Sequence, residues 1–294
     1  MCSHTKGDAP ADWSSVAISR AQFVERVAEQ GALHYRDLPW RNIDDAYGVL
    51  VSEVMLQQTQ VARVLDFWPR WMALFPTVDA LAAADTASVL EQWQGLGYNR
   101  RALALKRTCE ACSATNGGRL PKTVDELQAL PGIGPATAAG VVAFAYDAPA
   151  LYLETNVRSV FLHELFPDAD QVHDRELAPF VSDTCPKSDV RAWYYALLDY
   201  GAFLKSQGMN PSRRSAHYAR QSAFGGSRRE KRSFVLKCVL AADGGIAVDD
   251  VCARLDAFER DAGRGGVDPA LCQELVDQLL AEGFFRDENG LLVP

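Results

Sequence analysis

The sequence predicts a mainly α-helical protein that ends in a small module of three helices and a β-hairpin. Apolar residues recur at helical spacing along most of the chain, and alternating strand patterns are almost absent before residue 230. Short connections marked by proline and glycine separate the periodic segments, which indicates a compact all-α body. The predicted helices are Ala21 to His34, Asp45 to Phe75, Thr86 to Trp93, Arg100 to Ala114, Val124 to Leu130, Pro135 to Tyr146 and Trp193 to Phe203.

The end of the chain predicts a winged-helix-like module over residues 231–294. Helices over Ser233 to Ala241 and Val248 to Leu255 precede a third helix, which begins at Pro269 and reaches about Ala281. Asn289-Gly290 between two apolar runs is a strong hairpin signal. The third helix carries acidic residues and no basic residue, so we expect it to pack or to contact protein rather than to read DNA.

Length and composition set outer limits on the class of protein. The 294 residues suffice for one large or two moderate domains, and no run approaches the ~18 apolar residues of a membrane span. The polar start, Met1 to Ser14, lacks the features of a signal peptide. Seven scattered cysteines do not indicate a secreted disulfide framework. We therefore expect a cytoplasmic protein without a membrane partner.

The charge is unevenly distributed along the chain. The net charge is −8, yet eight Lys and Arg residues lie between Lys205 and Arg232 against one acid, Glu230. A basic stretch of this kind indicates phosphate contacts, although a solvated loop is the alternative. The candidate DNA-binding arginines are Arg213, Arg214, Arg220, Arg228 and Arg229.

One acidic residue, Glu53, lies inside an apolar and amide-bearing helical run, Val51 to Gln60. Helical spacing places its carboxyl near the buried face of that helix. Apolar surroundings disfavour the charged form, so such a carboxyl can stay protonated near neutral pH and act as a general acid. The alternative is a glutamate at the edge of a core helix, paired or turned to solvent.

The segment Leu130 to Ala138 indicates two helices joined by a tight turn. Gly132 and Gly134 permit positive-φ geometry and a close backbone approach. The start of the following helix, with Thr137 in its first turn, offers free N–H groups to a phosphate. With its Leu-Pro and Thr-Ala flanks the segment is typical of a helix-hairpin-helix, a sequence-independent clamp on the DNA backbone.

Six motifs stand in a fixed order between residues of about 20 and 205. They are Leu38-Pro39-Trp40-Arg41, Val51 to Val61, Phe75 to Val78, Trp93 to Tyr98, Leu130 to Ala138 and Asn156-Val157-Arg158. Together they resemble the adenine DNA glycosylase (MutY-like) branch of the helix-hairpin-helix DNA glycosylase superfamily.

The resemblance implies a two-lobed helix-hairpin-helix DNA glycosylase fold. One lobe would comprise residues 17–45 and 151–230, and a six-helix lobe residues 46–150, after a flexible tail of residues 1–16. The implied partner is double-stranded DNA with a mismatched or damaged base. A monomer associated with the nucleoid is expected.

The resemblance also assigns roles to individual residues. Glu53 would protonate the leaving base, Glu154 would stabilise the sugar cation, and Asn156 would orient Glu154 or a water molecule. The flipped base would lie among Trp40, Arg41, Leu56, Gln57, Ala136 and Tyr195. Gln58 and Tyr98 would fill the space that the base leaves, while Gly132, Gly134 and Thr137 would hold a phosphate, with a monovalent cation on the turn carbonyls. For Trp40 and Tyr98, core packing is the alternative.

Several positions depart from the family pattern. Glu154 replaces an aspartate, Tyr195 replaces a glutamate or glutamine, and Ala136 stands where bifunctional lyases carry lysine, so we expect no strand cleavage. Lys205 stands where the first cysteine of an iron-sulfur cluster would be, and no cysteine follows before Cys238. Four close thiolates are required, so no cluster is expected. The basic loop Asn210 to Arg232 would take over its phosphate contacts.

The function implied is that of a monofunctional glycosylase in base excision repair. The expected target is adenine opposite guanine or 8-oxoguanine, although the C-terminal module does not resemble the β-rich domain that reads 8-oxoguanine in typical relatives. The alternatives are a thymine or uracil glycosylase acting on mismatches with guanine, and a non-catalytic protein that binds lesions.

Overall fold

The computed structural model describes residues 10–218 and 222–294 and is mainly helical. The helices are α1 (Arg20–Leu33), α2 (Ala46–Leu56), α3 (Val61–Leu74), α4 (Val78–Ala83), α5 (Thr86–Trp93), α6 (Arg100–Asn116), α7 (Val124–Gln128), α8 (Pro135–Ala145), α9 (Thr155–Leu165), α10 (Asp174–Thr184), α11 (Val190–Ser206), α12 (Arg228–Leu240), α13 (Val248–Asp261) and α14 (Pro269–Glu282). A 3-10 turn, Pro211–Arg214, follows α11. None of the described helices is long and apolar enough to cross a membrane.

Two predicted features of the helical pattern are wrong. The segment Asp45 to Phe75 is two helices, because Gln58 has a left-handed backbone (φ 54°) that no α-helix accommodates. Helices α4, α9 and α10 were not predicted, since α4 has only six residues and α10 contains Pro179. The apolar spacing within α9 is regular and was overlooked.

The chain divides into two compact units. The first comprises Met1–Gln57 with Arg119–Ala219, and the second comprises Gln58–Gly118 with Arg220–Pro294. The predicted domain boundaries, including the tail of residues 1–16, stay a prediction; residues 1–9 of that tail lie outside the described residues.

The first unit has a continuous apolar core between α1, α8, α9, α10 and α11. Phe23, Phe161 and Tyr194 are among its largest buried side chains. Two glycines let helices approach closely within this unit. A Cβ at Gly31 of α1 would lie 2.3 Å from the Cβ of Ala196, and one at Gly201 of α11 would lie 2.4 Å from the carbonyl oxygen of Asn156. Gly201 thereby lets α11 approach the first turn of α9 closely.

The second unit joins α3–α6 to the C-terminal module. Strands β1 (Ile246–Ala247), β2 (Arg286–Glu288) and β3 (Leu291–Val293) form an antiparallel sheet in the order β1-β3-β2. Asn289 and Gly290 both have positive φ, as the predicted hairpin turn requires. A disulfide between Cys252 and Cys272 joins α13 to α14; the cysteine pattern did not predict it. The helices and the hairpin are confirmed, whereas the winged-helix assignment stays a prediction.

The module packs on α6 through ion pairs around one carboxylate. Glu282 at the end of α14 binds Arg100 of α6 and Arg232 of α12. Its backbone carbonyl accepts a hydrogen bond of 2.8 Å from Arg107. The acidic third helix therefore packs within its own unit, as its charge predicted.

Candidate active site

Glu53 lies on α2, which is apolar and buried on nearly all sides. Its side chain is half-buried, and Oε2 accepts a hydrogen bond of 3.1 Å from the hydroxyl of Tyr152. The backbone of α8 lies against the same oxygen, since a Cβ at Gly140 would be 2.3 Å from Oε2. The carboxyl is therefore enclosed by a helix backbone and one neutral donor.

This environment keeps Glu53 protonated at neutral pH. Burial raises the pKa of Glu53 from its ordinary value of 4.5 to about 8, the Tyr152 hydrogen bond opposes the rise, and the charge of Glu154 adds to it. The sequence-based expectation of a protonated carboxyl and the structure therefore agree on the cause, which is desolvation.

Glu154 is the N-cap of α9 and is held by backbone donors. Its Oε1 accepts hydrogen bonds from the N–H groups of Asn156, at 2.6 Å, and Val157, at 3.1 Å. Burial raises the pKa of Glu154 above its ordinary value, and these N–H groups and the charge of Arg158 offset only part of that rise. Because the N-terminus of a helix favours negative charge, Glu154 is the better placed of the two carboxyl groups to be ionised.

Asn156 fixes the orientation of Glu154 with its backbone N–H. The catalytic role of the Asn156 side chain, to orient Glu154 or a water molecule, stays a prediction.

Arg41 and Tyr195, two predicted pocket residues, lie together in the first unit. The guanidinium carbon of Arg41 is 4.3 Å from the ring centroid of Tyr195, and the Tyr195 ring also stacks on Phe144, at 4.7 Å between centroids. Arg41 is 2% exposed and donates two hydrogen bonds, of 2.7 and 2.8 Å, to Asp199. Its charge is thus balanced internally, so Arg41 supports the pocket wall and does not supply a free cation.

The remaining pocket candidates differ in their access to solvent. Trp40 is buried, Leu56 is half-buried, and Gln57 and Ala136 are exposed. The amide Nε2 of Gln57 donates a hydrogen bond of 3.0 Å to the hydroxyl of Thr137, which ties the end of α2 to the start of α8. The hydroxyl of Thr137 thus accepts a hydrogen bond within the protein.

The predicted hairpin consists of α7, a turn and α8. Gly132 has φ 81°, as predicted, but Gly134 is an N-cap with an extended backbone (φ −85°), so only one of the two glycines needs a left-handed conformation. No side chain caps α8, and Pro135 occupies its first position. Gly134 and Ala136 are exposed, so the uncapped helix start is accessible to an anion.

In the second unit, Arg101 joins the turns that carry Gln58 and Tyr98. It donates hydrogen bonds to the hydroxyl of Thr59, at 3.1 Å, and to the carbonyl oxygens of Leu96, at 3.1 Å, and Gly97, at 2.9 Å. Both Gln58 (φ 54°) and Tyr98 (φ 48°) have left-handed backbones, which cost a non-glycine residue roughly 1 kcal/mol or more. Strain of this kind concentrates at functional positions.

The predicted DNA-binding arginines mostly have partners inside their own unit. Arg214 donates to the carbonyl oxygens of Pro167 and Leu162. Arg228 pairs with Glu274, and Arg229 donates to the hydroxyl of Tyr98. Arg213 is exposed, and Arg220 lies outside the described residues. The phosphate contacts of the basic stretch stay a prediction, and within that stretch Glu274 of α14 neutralises Arg228.

Tyr152, Gly140, Asp199 and Arg101 were assigned no role by sequence reasoning. Gly140 carried a usable signal, since a glycine inside an apolar helix often marks a close approach. Tyr152 and Asp199 carried none, because their partners lie 99 and 158 residues away along the chain.

The described cysteines do not fit an iron-sulfur cluster. Cys109, Cys112, Cys185 and Cys238 are free, and the other described pair forms the disulfide in the C-terminal module. Over residues 10–218 and 222–294, no group of three or more Cys, His, Asp or Glu is placed to hold a metal ion.

Comparison with known proteins agrees with this fold and these motifs. Residues 51–187 match the family of HhH-GPD superfamily base excision DNA repair proteins. A structure of a thermostable thymine-DNA glycosylase is similar with a TM-score of 0.56 and 22% identity, over 62% of this chain and 86% of that one. A non-covalent endonuclease III–DNA complex is similar with a TM-score of 0.51 and 20% identity, over 64% and 86%. These two likenesses concern the fold alone.

The matched segment, residues 51–187, belongs to the HhH-GPD superfamily. The curated relatives that the chain resembles are adenine DNA glycosylases. The adenine DNA glycosylase of Mycolicibacterium smegmatis is 40% identical over 57% of this chain and 58% of its own length. That of Mycobacterium tuberculosis is 42% identical over 46% of this chain and 45% of its own length. The match thus spans about half the length of each relative.

Proposed function

We propose that the protein is a monofunctional DNA glycosylase of base excision repair that removes adenine opposite guanine or 8-oxoguanine. The observation that carries the proposal is the pair of carboxyl groups in the first unit. Burial raises the pKa of Glu53 to about 8, whereas Glu154 is held by backbone donors at a helix N-terminus. The adenine target is supported by the curated relatives, which are adenine DNA glycosylases.

The two carboxyl groups divide the chemistry of N-glycosidic bond cleavage. Glu53 donates its proton to a ring nitrogen of the flipped base, and the electrons of the glycosidic bond leave with that base. The carboxylate of Glu154 stabilises the positive charge that develops on the sugar. Water adds to the sugar carbon and releases a proton, so the products are the free base and an abasic site.

DNA contacts in this proposal come from the hairpin and from the turns of the second unit. The uncapped start of α8 receives a phosphate, with a monovalent cation on the carbonyls of the preceding turn. Gln58 and Tyr98 occupy the space of the extruded base. The protein acts as a monomer and requires no iron-sulfur cluster.

Excision assays on defined duplexes test this function. Each mismatch and lesion duplex is incubated with the protein and then treated with alkali, and we expect breakage at adenine. Breakage at thymine or uracil would establish the alternative substrate, and no breakage would indicate a protein that only binds lesions. Breakage without alkali, or trapping by borohydride, would contradict the monofunctional assignment, which follows from Ala136.

Two variants and a metal analysis complete the test. Glu53→Gln should abolish excision and keep DNA binding, while Glu29→Gln, which changes an exposed carboxyl on α1, should leave excision intact. Iron analysis of the purified protein should find no stoichiometric iron.

A further inference from the structure

The carboxyl of Glu53 has two oxygens in different surroundings. Oε2 lies between the hydroxyl of Tyr152, at 3.1 Å, and the backbone of α8 at Gly140. Oε1 has no hydrogen-bond partner in the described part of the chain, and the side chain as a whole is only half-buried. A base that takes a proton from Glu53 must therefore approach Oε1.

Tyr152 can only donate in this contact. Burial, together with the charges of Glu53 and Glu154, raises the pKa of Tyr152 well above its ordinary value, so the phenol keeps its proton. A carbonyl-type oxygen is a better acceptor than the hydroxyl oxygen of a carboxylic acid. The donated hydrogen bond thus makes Oε2 the carbonyl oxygen and leaves the acidic proton on Oε1.

We propose that Tyr152 is a positioning residue that fixes the acidic proton of Glu53 on Oε1, where the leaving base can receive it. The inference rests on the proposed function, since it specifies how the proton of that reaction is presented. After transfer, the same hydrogen bond stabilises the carboxylate of Glu53, which makes proton donation more favourable.

The Tyr152 ring is itself fixed by its neighbours. The ring packs edge-to-face against Phe144, at 5.1 Å between centroids, and against Tyr194, at 5.4 Å. The backbone N–H of Tyr152 donates a hydrogen bond of 3.3 Å to the hydroxyl of Tyr194. Such packing holds the phenol in one orientation. The position of the hydroxyl is therefore set by the core and not by the carboxyl that it contacts.

Three titratable side chains from the surrounding elements act on Glu53. Tyr152 and Glu154 lie before and at the start of α9, and Tyr195 lies on α11, while α8 contributes only the backbone at Gly140. The pKa of Tyr195 is raised, mainly by burial, so it is neutral over the pH range of an assay. A change in the pH limb of Glu53 can therefore be traced to Tyr152 or to Glu154.

The test compares Tyr152→Phe with wild type in single-turnover excision across pH. In wild type, the excision rate should fall near pH 8, where Glu53 loses its proton. Tyr152→Phe removes a hydrogen bond that stabilises the Glu53 carboxylate, so this alkaline limb of the pH–rate profile should move upward by about one pH unit. The plateau rate should fall about tenfold, because the proton is no longer directed to Oε1. The matched control is Tyr146→Phe, which removes a hydroxyl that donates to the carbonyl oxygen of Leu120. This variant should change neither the alkaline limb nor the plateau rate.

Two further measurements distinguish positioning from damage to the fold. A fluorinated tyrosine in place of Tyr152 is a more acidic donor and should move the limb downward, opposite to Tyr152→Phe. Carbon-13 NMR titration of the Glu53 carboxyl in the DNA-free protein, assigned with Glu53→Gln, should show the same two shifts.

An alkaline limb and an NMR titration that stay unchanged in both variants would overturn the inference. If wild type excises no base from any duplex, the proposed function fails, and the NMR shifts still decide the state of the Glu53 carboxyl.

Discussion

Glu53→Gln should stabilise the folded protein at alkaline pH while it abolishes excision. Glutamine has nearly the same shape and can accept the hydrogen bond of Tyr152, but it does not ionise. Burial raises the pKa of Glu53 from 4.5 to about 8, so the folded state holds this proton more tightly than the unfolded state does. The stabilising contribution of the protonated form is complete below pH 4.5 and is lost as the pH rises to about 8.

The size of the effect follows from the pKa interval. Each pH unit between the two values is worth about 1.4 kcal/mol. The unfolding free energy of Glu53→Gln minus that of wild type should therefore increase with pH. Relative to this difference below pH 4.5, the increase should be about 3 kcal/mol at pH 7 and about 5 kcal/mol above pH 8. Glu154 titrates in both proteins, and to first order its contribution cancels in the difference.

Urea unfolding of wild type and Glu53→Gln at pH 5, 7 and 9 measures this difference. Glu29→Gln is the control, since that carboxyl is exposed, and its curve should follow wild type at every pH. If the difference in unfolding free energy between Glu53→Gln and wild type does not change between pH 5 and pH 9, Glu53 ionises with an ordinary pKa. Glu53 would then be ionised at neutral pH and would have no proton to donate to a leaving base.

Three further predictions concern the groups around the site. Gly140→Ala places a Cβ 2.3 Å from Oε2 of Glu53, so the carboxyl must move; single-turnover assays should show loss of excision, and circular dichroism an unchanged fold. Asp199→Asn leaves a buried arginine without its countercharge and should lower the unfolding free energy in urea by about 3 kcal/mol; an unchanged midpoint would contradict a buried ion pair. Arg229→Ala and Tyr98→Phe should be non-additive in a double-mutant cycle of unfolding free energies, because each removes the same hydrogen bond; strict additivity would show that this contact contributes nothing.

The sequence by itself predicted the helical class, the hairpin motif, the superfamily and Glu53 as the candidate general acid. These features are encoded locally. Apolar spacing on α2, the Leu130 to Ala138 turn and the Asn289-Gly290 turn each depend on residues a few positions apart. Order and spacing of such motifs were sufficient to place the chain in its superfamily before any contact was known.

Only the tertiary structure decided what surrounds those residues. The hydrogen bond from Tyr152 to Glu53 spans 99 residues, and the pairing of Arg41 with Asp199 spans 158. The basic residues in the first turns of α12 are the clearest case, since Arg228 and Arg232 are neutralised by Glu274 and Glu282 of α14. Counting charges along the sequence does not reveal these ion pairs, because their strength depends on the distance between the charges in the folded structure. The sequence predicts which carboxyl is the acid, and the fold determines the pKa of that carboxyl.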